Sequence, residues 1–131
     1  MGTPVFSMVE EAALAVAPYS HFVEADGWVF LTGQFGMTPG DDDAPIPDNI
    51  EDETHRTMQN LGIVLEAAGL GFEHVVSARA FLVNFERDYE AMNAVYETYF
   101  APGRRPARTC VGVTALARGA MVEIDFIARR P

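Results

Sequence analysis

Two segments with the periodicity of a helix, each flanked by strand-like segments, most constrain how this chain can fold. The first begins near Asp48 and Glu51, which have capping-box spacing, and it ends at Gly69, a residue typical of helix ends. Its apolar side chains recur at helical intervals, at Ile50, Met58, Leu61, Leu65 and Ala68. The second covers residues 86–100 and has one stripe of large side chains, at Tyr89, Met92, Tyr96 and Tyr99. The chain is therefore predicted to contain two helices.

Five further segments have the composition or alternation of strands. They are residues 21–24, 28–32, 75–85, 107–114 and 121–129. The first two flank the turn sequence Ala25-Asp26-Gly27 and are predicted to form a hairpin. The last two are predicted to form another hairpin around residues 116–119. A further strand is considered near residues 5–9.

The order of these elements, β-β-α-β-α-β-β, predicts an α+β fold with both helices on one face of the sheet. A chain of 131 residues suits one domain, here residues 1–131, and can bury roughly two-thirds of its unfolded surface. The second face of the sheet then has no cover within the chain, although its strands are too apolar to be left in water. We therefore expect other subunits to cover that face.

The chain is acidic and contains no lysine. Nine basic residues, all arginine, stand against nineteen acidic residues, which gives a net charge of −10 and a pI near 4.5. Without lysine the chain cannot use a lysine Schiff base or a P-loop lysine. Nucleic acid is an unlikely partner, because general binding to phosphates depends on basic charge.

Basic residues concentrate in residues 104–131, which hold six arginines and two acidic residues, a net of +4. This charge could form an anion site, complement another surface in an oligomer, or simply keep the protein soluble. Arg104 and Arg105 lie in a predicted connecting loop beside prolines and a glycine. Steering of anions through solvent is the most that is expected of these two side chains.

The sequence predicts a cytoplasmic protein that does not span a membrane. No segment approaches the run of about eighteen apolar residues that a membrane helix needs. No arginine precedes Arg56, so the N-terminal segment lacks the positive charge of a signal peptide. Cys110 is the single cysteine, which excludes an intrachain disulfide.

Arg108 and Glu123 are the charged residues that strand alternation singles out. Alternation places Arg108 and Cys110 on one face of the penultimate strand, and Glu123 and Asp125 on one face of the last strand. If these strands form a hairpin, Arg108 and Glu123 come close together. Charges within strands are costly to bury unless they are paired. The two residues could form an ion pair between strands or belong to a functional site, and alternation leaves both open.

No metal site is predicted. His21, His55 and His74 lack the spacing of zinc ligands, and each is interpreted as a surface histidine or a hydrogen-bonded core histidine. The acidic run at residues 41–43 lacks the spaced ligands and closing glutamate of a calcium loop. We interpret it as part of an exposed loop.

Short motifs along the chain resemble, in the same order, those of the RidA/YjgF family of reactive intermediate deaminases. They are Pro18-Tyr19-Ser20, Thr32-Gly33-Gln34, Ala67-Ala68-Gly69, residues 92–100, residues 106–111 and Val122-Glu123-Ile124. The most specific part is Pro106-Ala107-Arg108 followed by Glu123 in the last strand. The resemblance runs from about Pro18 to Arg129.

This resemblance implies a chorismate-mutase-like α+β fold and a homotrimer with three clefts between subunits. The family hydrolyses enamines and imines, such as 2-aminoacrylate, to 2-keto acids and ammonia without a cofactor. By resemblance Arg108 would hold the carboxylate of a small-molecule substrate, and Glu123 would orient or activate the attacking water. The residues that would line the cleft are Tyr19, Thr32, Gly33, Asn93 and Cys110.

The chain also departs from the family, which commonly has glutamine where His21 stands and serine where Thr32 stands. These departures leave the preferred imine open. Two other functions are considered for the same fold. One is a non-enzymatic protein that binds small carboxylates or acts like a chaperone. The other is an endoribonuclease, which the net charge of −10 disfavours and the basic segment at residues 104–131 favours.

Overall fold

The computed structural model describes residues 2–131 and contains one six-stranded sheet, two helices and three short 3₁₀ turns. The strands are β1 (Val5–Ser7), β2 (Phe22–Ala25), β3 (Trp28–Gln34), β4 (Val75–Leu82), β5 (Ala107–Gly112) and β6 (Val122–Arg129). The helices are α1 (Ile50–Ala67) and α2 (Phe85–Tyr96), and the 3₁₀ turns are Phe72–His74, Glu97–Tyr99 and Ala117–Gly119. The strands lie in the order β1-β2-β3-β6-β4-β5. The predicted α+β fold and the order of its elements are confirmed, with β1 added at one edge.

The hydrophobic core lies between the helices and one face of the sheet. Helix α1 packs on β3 and β6, and α2 packs on α1 and β4. The sheet contributes alternate side chains of its central strands, including Val122, Ile124 and Phe126 of β6, and α1 contributes Met58 and Leu61. No helix within residues 2–131 has both the length and the apolar character needed to cross a membrane.

Helix α1 is capped one residue later than the capping-box spacing predicts. Asn49 is the N-cap, and its side-chain oxygen accepts a hydrogen bond of 2.8 Å from the backbone N–H of Asp52. The Asn49 amide in turn donates to the Asp52 carboxylate at 3.0 Å. Asp48 is therefore not the cap. Gly69 follows the helix with φ +76°, as predicted for the residue that stops it.

The predicted hairpin between the last two strands is wrong. Strand β5 pairs in parallel with β4, whereas β6 lies between β3 and β4 and is antiparallel to both. Burial explains this order. Strand β4 is buried at Ala78, Ala80 and Leu82, whereas every residue of β5 is exposed or half-buried. A strand whose apolar side chains must be buried, such as β4, is favoured in the interior of the sheet. The more exposed strand β5 lies at its edge.

The second face of the sheet has no cover within residues 2–131. Phe6, Val23 and Phe30 are in register across β1, β2 and β3 on this open face. Phe6 is 69% exposed and Phe30 is 45% exposed. Contiguous apolar surface of this kind is typical of an interface between proteins.

We expect Asn49→Ala to lower the free energy of unfolding by about 1 kcal/mol, because the first turn of α1 loses its side-chain acceptor. Asp48→Ala is the matched control, and it should cost only a few tenths of a kcal/mol through the helix dipole. Denaturant titration of both variants measures the difference. A larger loss for Asp48→Ala would contradict the assignment of the cap.

Candidate active site

Arg108 lies at the edge of the sheet on the face that carries the helices. It is in register with Ala78 of β4, which is in register with Phe126 of β6, and all three side chains therefore point to one face. The Arg108 guanidinium lies over the ring of Tyr96 at 4.8 Å and over the ring of Tyr89 at 5.9 Å. This stacking fixes the plane of the guanidinium.

A cavity of about 270 Å³ opens beside Arg108. Its lining residues are Asn93, Tyr96, Glu97, Arg105, Pro106 and Arg108. The side-chain oxygens of Asn93 and Tyr96 are both buried, and neither has a hydrogen-bond partner. Both residues line the cavity, although these two oxygens are themselves closed off from it.

Burial and charge set the protonation of the groups around Arg108. Burial raises the pKa of Tyr96 to about 12, although the positive charge of Arg108 acts to lower it. Burial likewise raises the pKa of the Cys110 thiol, and Arg108 opposes this only in part. Cys110 is therefore a thiol at neutral pH, and its environment does not favour a nucleophilic thiolate.

Glu123 lies on the opposite, open face of the sheet. Its neighbours Val122 and Ile124 are fully buried against the helices, and alternation turns Glu123 away from them. Next to β6, Thr32 and Gly33 together lie opposite a single residue, because the ladder passes from Leu31–Phe126 to Gln34–Ile124. This is a β-bulge, a feature that is common beside active sites.

Gly33 gives the Glu123 carboxyl group its space. A Cβ atom on Gly33 would collide with the carboxyl end of the Glu123 side chain, which would then have to move. The backbone N–H of Thr32 donates to the carbonyl of His21 at 3.0 Å, which ties the bulge to the segment that carries Tyr19. The residues around the bulge therefore form one group, made up of Thr32, Gly33 and Glu123. Tyr19 lies two residues before His21, the residue to which the bulge is hydrogen-bonded.

The pKa of Glu123 is raised above that of a free glutamate. Burial is the largest cause, and the negative charge of Asp125 adds to it, while the positive charge of Arg79 opposes it. Arg79 is itself held by Asp125 through two nitrogens, the shorter hydrogen bond being 2.6 Å from Nη2. The side chain of Glu123 makes no hydrogen bond within residues 2–131, and its carboxyl group is free to act on a ligand.

His21 is a hydrogen-bonded core histidine, one of the two interpretations that the sequence left open. Its Nδ1 accepts a hydrogen bond of 2.8 Å from the backbone N–H of Val9, so Nε2 carries the proton and donates to the carbonyl of Ala13 at 2.8 Å. The ring thus fastens the segment between β1 and β2. Tyr19 lies in that segment, half-buried, and its hydroxyl accepts a hydrogen bond from Val16 N–H at 3.3 Å.

The residues singled out from the sequence form two groups on opposite faces of the sheet. Arg108, Cys110 and Asn93 lie on the helix side, whereas Glu123 and the bulge lie on the open side. Arg108 and Glu123 are not neighbours, because β4 lies between their strands. The proximity expected from a final hairpin is therefore wrong within one chain.

Four of the six residues that line the cavity were not assigned to the site from the sequence, Tyr96 and Arg105 among them. Tyr96 was placed in the helix stripe of the core, and Arg105 was given no role beyond steering in solvent, yet both line the cavity beside Arg108. In the sequence, the position of Arg105 three residues before Arg108, across Pro106, is the signal that could have indicated a shared site.

Within residues 2–131, no three histidine, cysteine, aspartate or glutamate side chains are close enough to hold a metal ion.

Comparison with known sequences identifies relatives along almost the whole chain. A family model described as endoribonuclease L-PSP matches residues 9–130. The chain is 37% identical over 121 residues to the RutC family protein slr0709 of Synechocystis, covering 92% of each protein. It is 37% identical over 118 residues to the 2-iminobutanoate/2-iminopropanoate deaminase of Mus musculus, covering 90% of this chain and 85% of the mouse protein.

Solved structures agree with the sequence relatives. The crystal structure of YEO7 from yeast has 34% sequence identity and a TM-score of 0.91, covering 98% of this chain and 100% of that one. Escherichia coli TdcF, solved with bound serine, has 27% identity and a TM-score of 0.87, covering 97% of this chain and 99% of that one. The chain therefore belongs to the RidA/YjgF family, which includes proteins named imine deaminases.

Proposed function

We propose that this protein hydrolyses small imines and enamines that carry a carboxylate, giving 2-keto acids and ammonia. The observation that carries the proposal is the Arg108 guanidinium, which lies over two tyrosine rings and lines a cavity of about 270 Å³. A stacked guanidinium offers a planar fork that matches a carboxylate. The relatives named 2-iminobutanoate/2-iminopropanoate deaminase act on substrates of this class by name.

The active site would be shared between two copies of the chain in a homotrimer. Arg108 and Glu123 point to opposite faces of one sheet, so one substrate can contact both only when the Glu123 face of one copy packs beside the Arg108 cavity of another. The open apolar face around Phe6 and Phe30 provides a surface on which copies would associate.

Hydrolysis of an imine in such a site needs three groups. Arg108 would bind the substrate carboxylate through two parallel hydrogen bonds and so fix the adjacent C=N carbon. Glu123 would take a proton from water while the water oxygen forms a bond to that carbon and the C=N π electrons move to nitrogen. The carboxylic acid would then return the proton to nitrogen. Glu123 would next take the proton of the newly formed hydroxyl group and pass it to the amine, so that ammonia leaves as the C=O bond of the keto acid forms.

The remaining residues would shape the cleft and need no covalent or cofactor chemistry. Cys110 contributes its backbone and volume, since burial raises the pKa of its thiol. Asn93 and Tyr96 would form part of the cavity wall beside Arg108. A small carboxylate substrate is thus the one partner that the chemistry requires besides a second copy of the chain.

Addition of the purified protein to a threonine dehydratase reaction tests the proposal directly. The dehydratase releases an imine, and formation of its 2-keto acid should be faster than the spontaneous rate. Binding of small carboxylates without acceleration would support a non-enzymatic binding protein instead. Cleavage of RNA without effect on the imine would support the endoribonuclease activity that the family description carries.

Light scattering in dilute buffer should give three times the monomer mass of 14.3 kDa, because nothing in residues 2–131 covers the open sheet face. Phe30→Glu, which places a charge on that face, should shift the protein towards monomer and abolish imine hydrolysis together. A fully active monomer would contradict the shared site.

Arg108→Lys should lose most activity on carboxylate-bearing imines, because an ammonium group cannot form the two parallel bonds of the fork. Arg104→Lys is the matched control, since Arg104 lies in the loop that leads into β5 and donates to the carbonyl of Glu73 at 3.0 Å. Activity per folded protein should fall far less on an uncharged imine of similar size. Equal losses on both substrates, or a lower melting temperature alone, would contradict the carboxylate role.

Glu123→Gln should slow hydrolysis by roughly 10²–10⁴-fold while carboxylate ligands still bind, because proton transfer is lost. The base must be ionised, and the pKa of Glu123 is raised. Activity of the unaltered protein should therefore decline on acidification at a pH above that expected for a free glutamate. A pH–rate profile should show this limb, and Glu123→Gln should remove it. An unchanged rate would assign Glu123 to a structural role.

A further inference from the structure

Two guanidinium groups line the cavity beside α2. Arg105 and Arg108 both face the same space of about 270 Å³, and Glu97 is the only acidic residue in its lining. The cavity lining thus carries a net charge of +1 in a chain whose net charge is −10. A monocarboxylate substrate uses one of the two cations, which leaves Arg105 without a role in that reaction.

Arg105 is only loosely held by its acidic neighbour. The closest approach of the pair is 3.6 Å, between Arg105 Nη2 and Glu97 Oε2, and the two side chains are 53% and 56% exposed. Exposed ion pairs of this kind contribute little to stability. By contrast, Arg130 binds Glu24 through two nitrogens at 2.6 and 2.8 Å. Arg105 can therefore exchange its partner for a ligand at little cost.

The backbone of Arg105 is restrained even though its side chain is weakly paired. Pro106 follows it directly, and the residue before a proline is confined to extended conformations. Pro106 also directly precedes β5, the strand in which Arg108 is in register with Ala78. The two arginines are thus carried on a short, stiff segment, which fixes the separation of their backbones before a ligand arrives.

We propose that the preferred substrate is a dicarboxylate imine, with Arg108 binding the carboxylate next to the C=N carbon and Arg105 binding the distal carboxylate. This rests on the proposed function and names its substrate class. The cavity volume lies just below the roughly 300 Å³ at which small-molecule sites begin, so a short four- or five-carbon diacid is the ligand that it suits.

Matched pairs of imines test the inference, each pair differing only in the distal carboxylate. An amino-acid oxidase produces them in place, from glutamate or norvaline and from aspartate or 2-aminobutyrate. The unaltered protein should hydrolyse at least one dicarboxylate imine with a higher kcat/KM than its monocarboxylate partner. Arg105→Gln should lower that value by about 10–100-fold, the usual worth of a hydrogen bond to a charged group. Its effect on the monocarboxylate imines should stay within about twofold, since Arg108 is unaltered.

Two further variants separate this role from a structural one. Arg104→Gln is the matched control, and it should leave both substrates unaffected, because Arg104 bonds to Glu73 outside the cavity. Glu97→Gln removes the competing carboxylate and should lower KM for the dicarboxylate imine. If Arg105 only anchors its loop to the end of α2, Arg105→Gln will reduce the melting temperature and affect both substrates equally. That result would overturn the inference.

The outcome also separates this inference from the proposed function. No preference for the diacid, with hydrolysis that still depends on Arg108, would reject the dicarboxylate substrate and leave the deaminase intact. If no imine is hydrolysed, calorimetric titration with succinate and with butanoate decides the inference by itself. Tighter binding of succinate that Arg105→Gln abolishes would uphold the diacid site, and equal binding of both ligands would overturn it.

Discussion

A buried carboxylate joins helix α1 to the start of β6, and the position of that central strand depends on it. Glu53 Oε2 accepts hydrogen bonds from the backbone N–H groups of Met121 at 2.6 Å and Val122 at 2.8 Å. Burial raises the pKa of Glu53, and the two N–H donors oppose that rise. The interaction sets where β6 begins and therefore which of its residues face the helices. Glu123, one residue further on, is turned to the open face as a result.

The fold was largely predictable because its elements are encoded locally. Three signals each lie within a few residues of sequence: the helical spacing of apolar residues in α1, the glycine at position 69 and the turn before Trp28. Each of them correctly predicted its part of the secondary structure. The partner of β5 was not predictable in this way. Pairing of β5 with β4 joins residues about thirty positions apart, and it follows from how much apolar surface each strand must bury. Sequence proximity favoured the wrong partner.

The candidate site shows the same division between local and distant information. Family motifs singled out Arg108, Glu123 and Gly33, but they contain no information on which face of the sheet each residue occupies. That arrangement depends on the order of all six strands. Tyr96 looked like an ordinary core residue, since a helical stripe does not distinguish a packed ring from one that supports a guanidinium. Its unpaired hydroxyl is visible only in the folded chain.

The separation of Arg108 and Glu123 by the sheet has a consequence for mixtures of variant chains. In a trimer with shared clefts, each cleft takes its arginine from one copy and its glutamate from another. A chain altered only at Arg108 therefore still supplies a sound glutamate to its neighbour, and a chain altered only at Glu123 still supplies a sound arginine. Refolding two such inactive proteins together would create some clefts with both groups intact. Each defect would then be complemented by the other, although neither chain alone could form a working cleft.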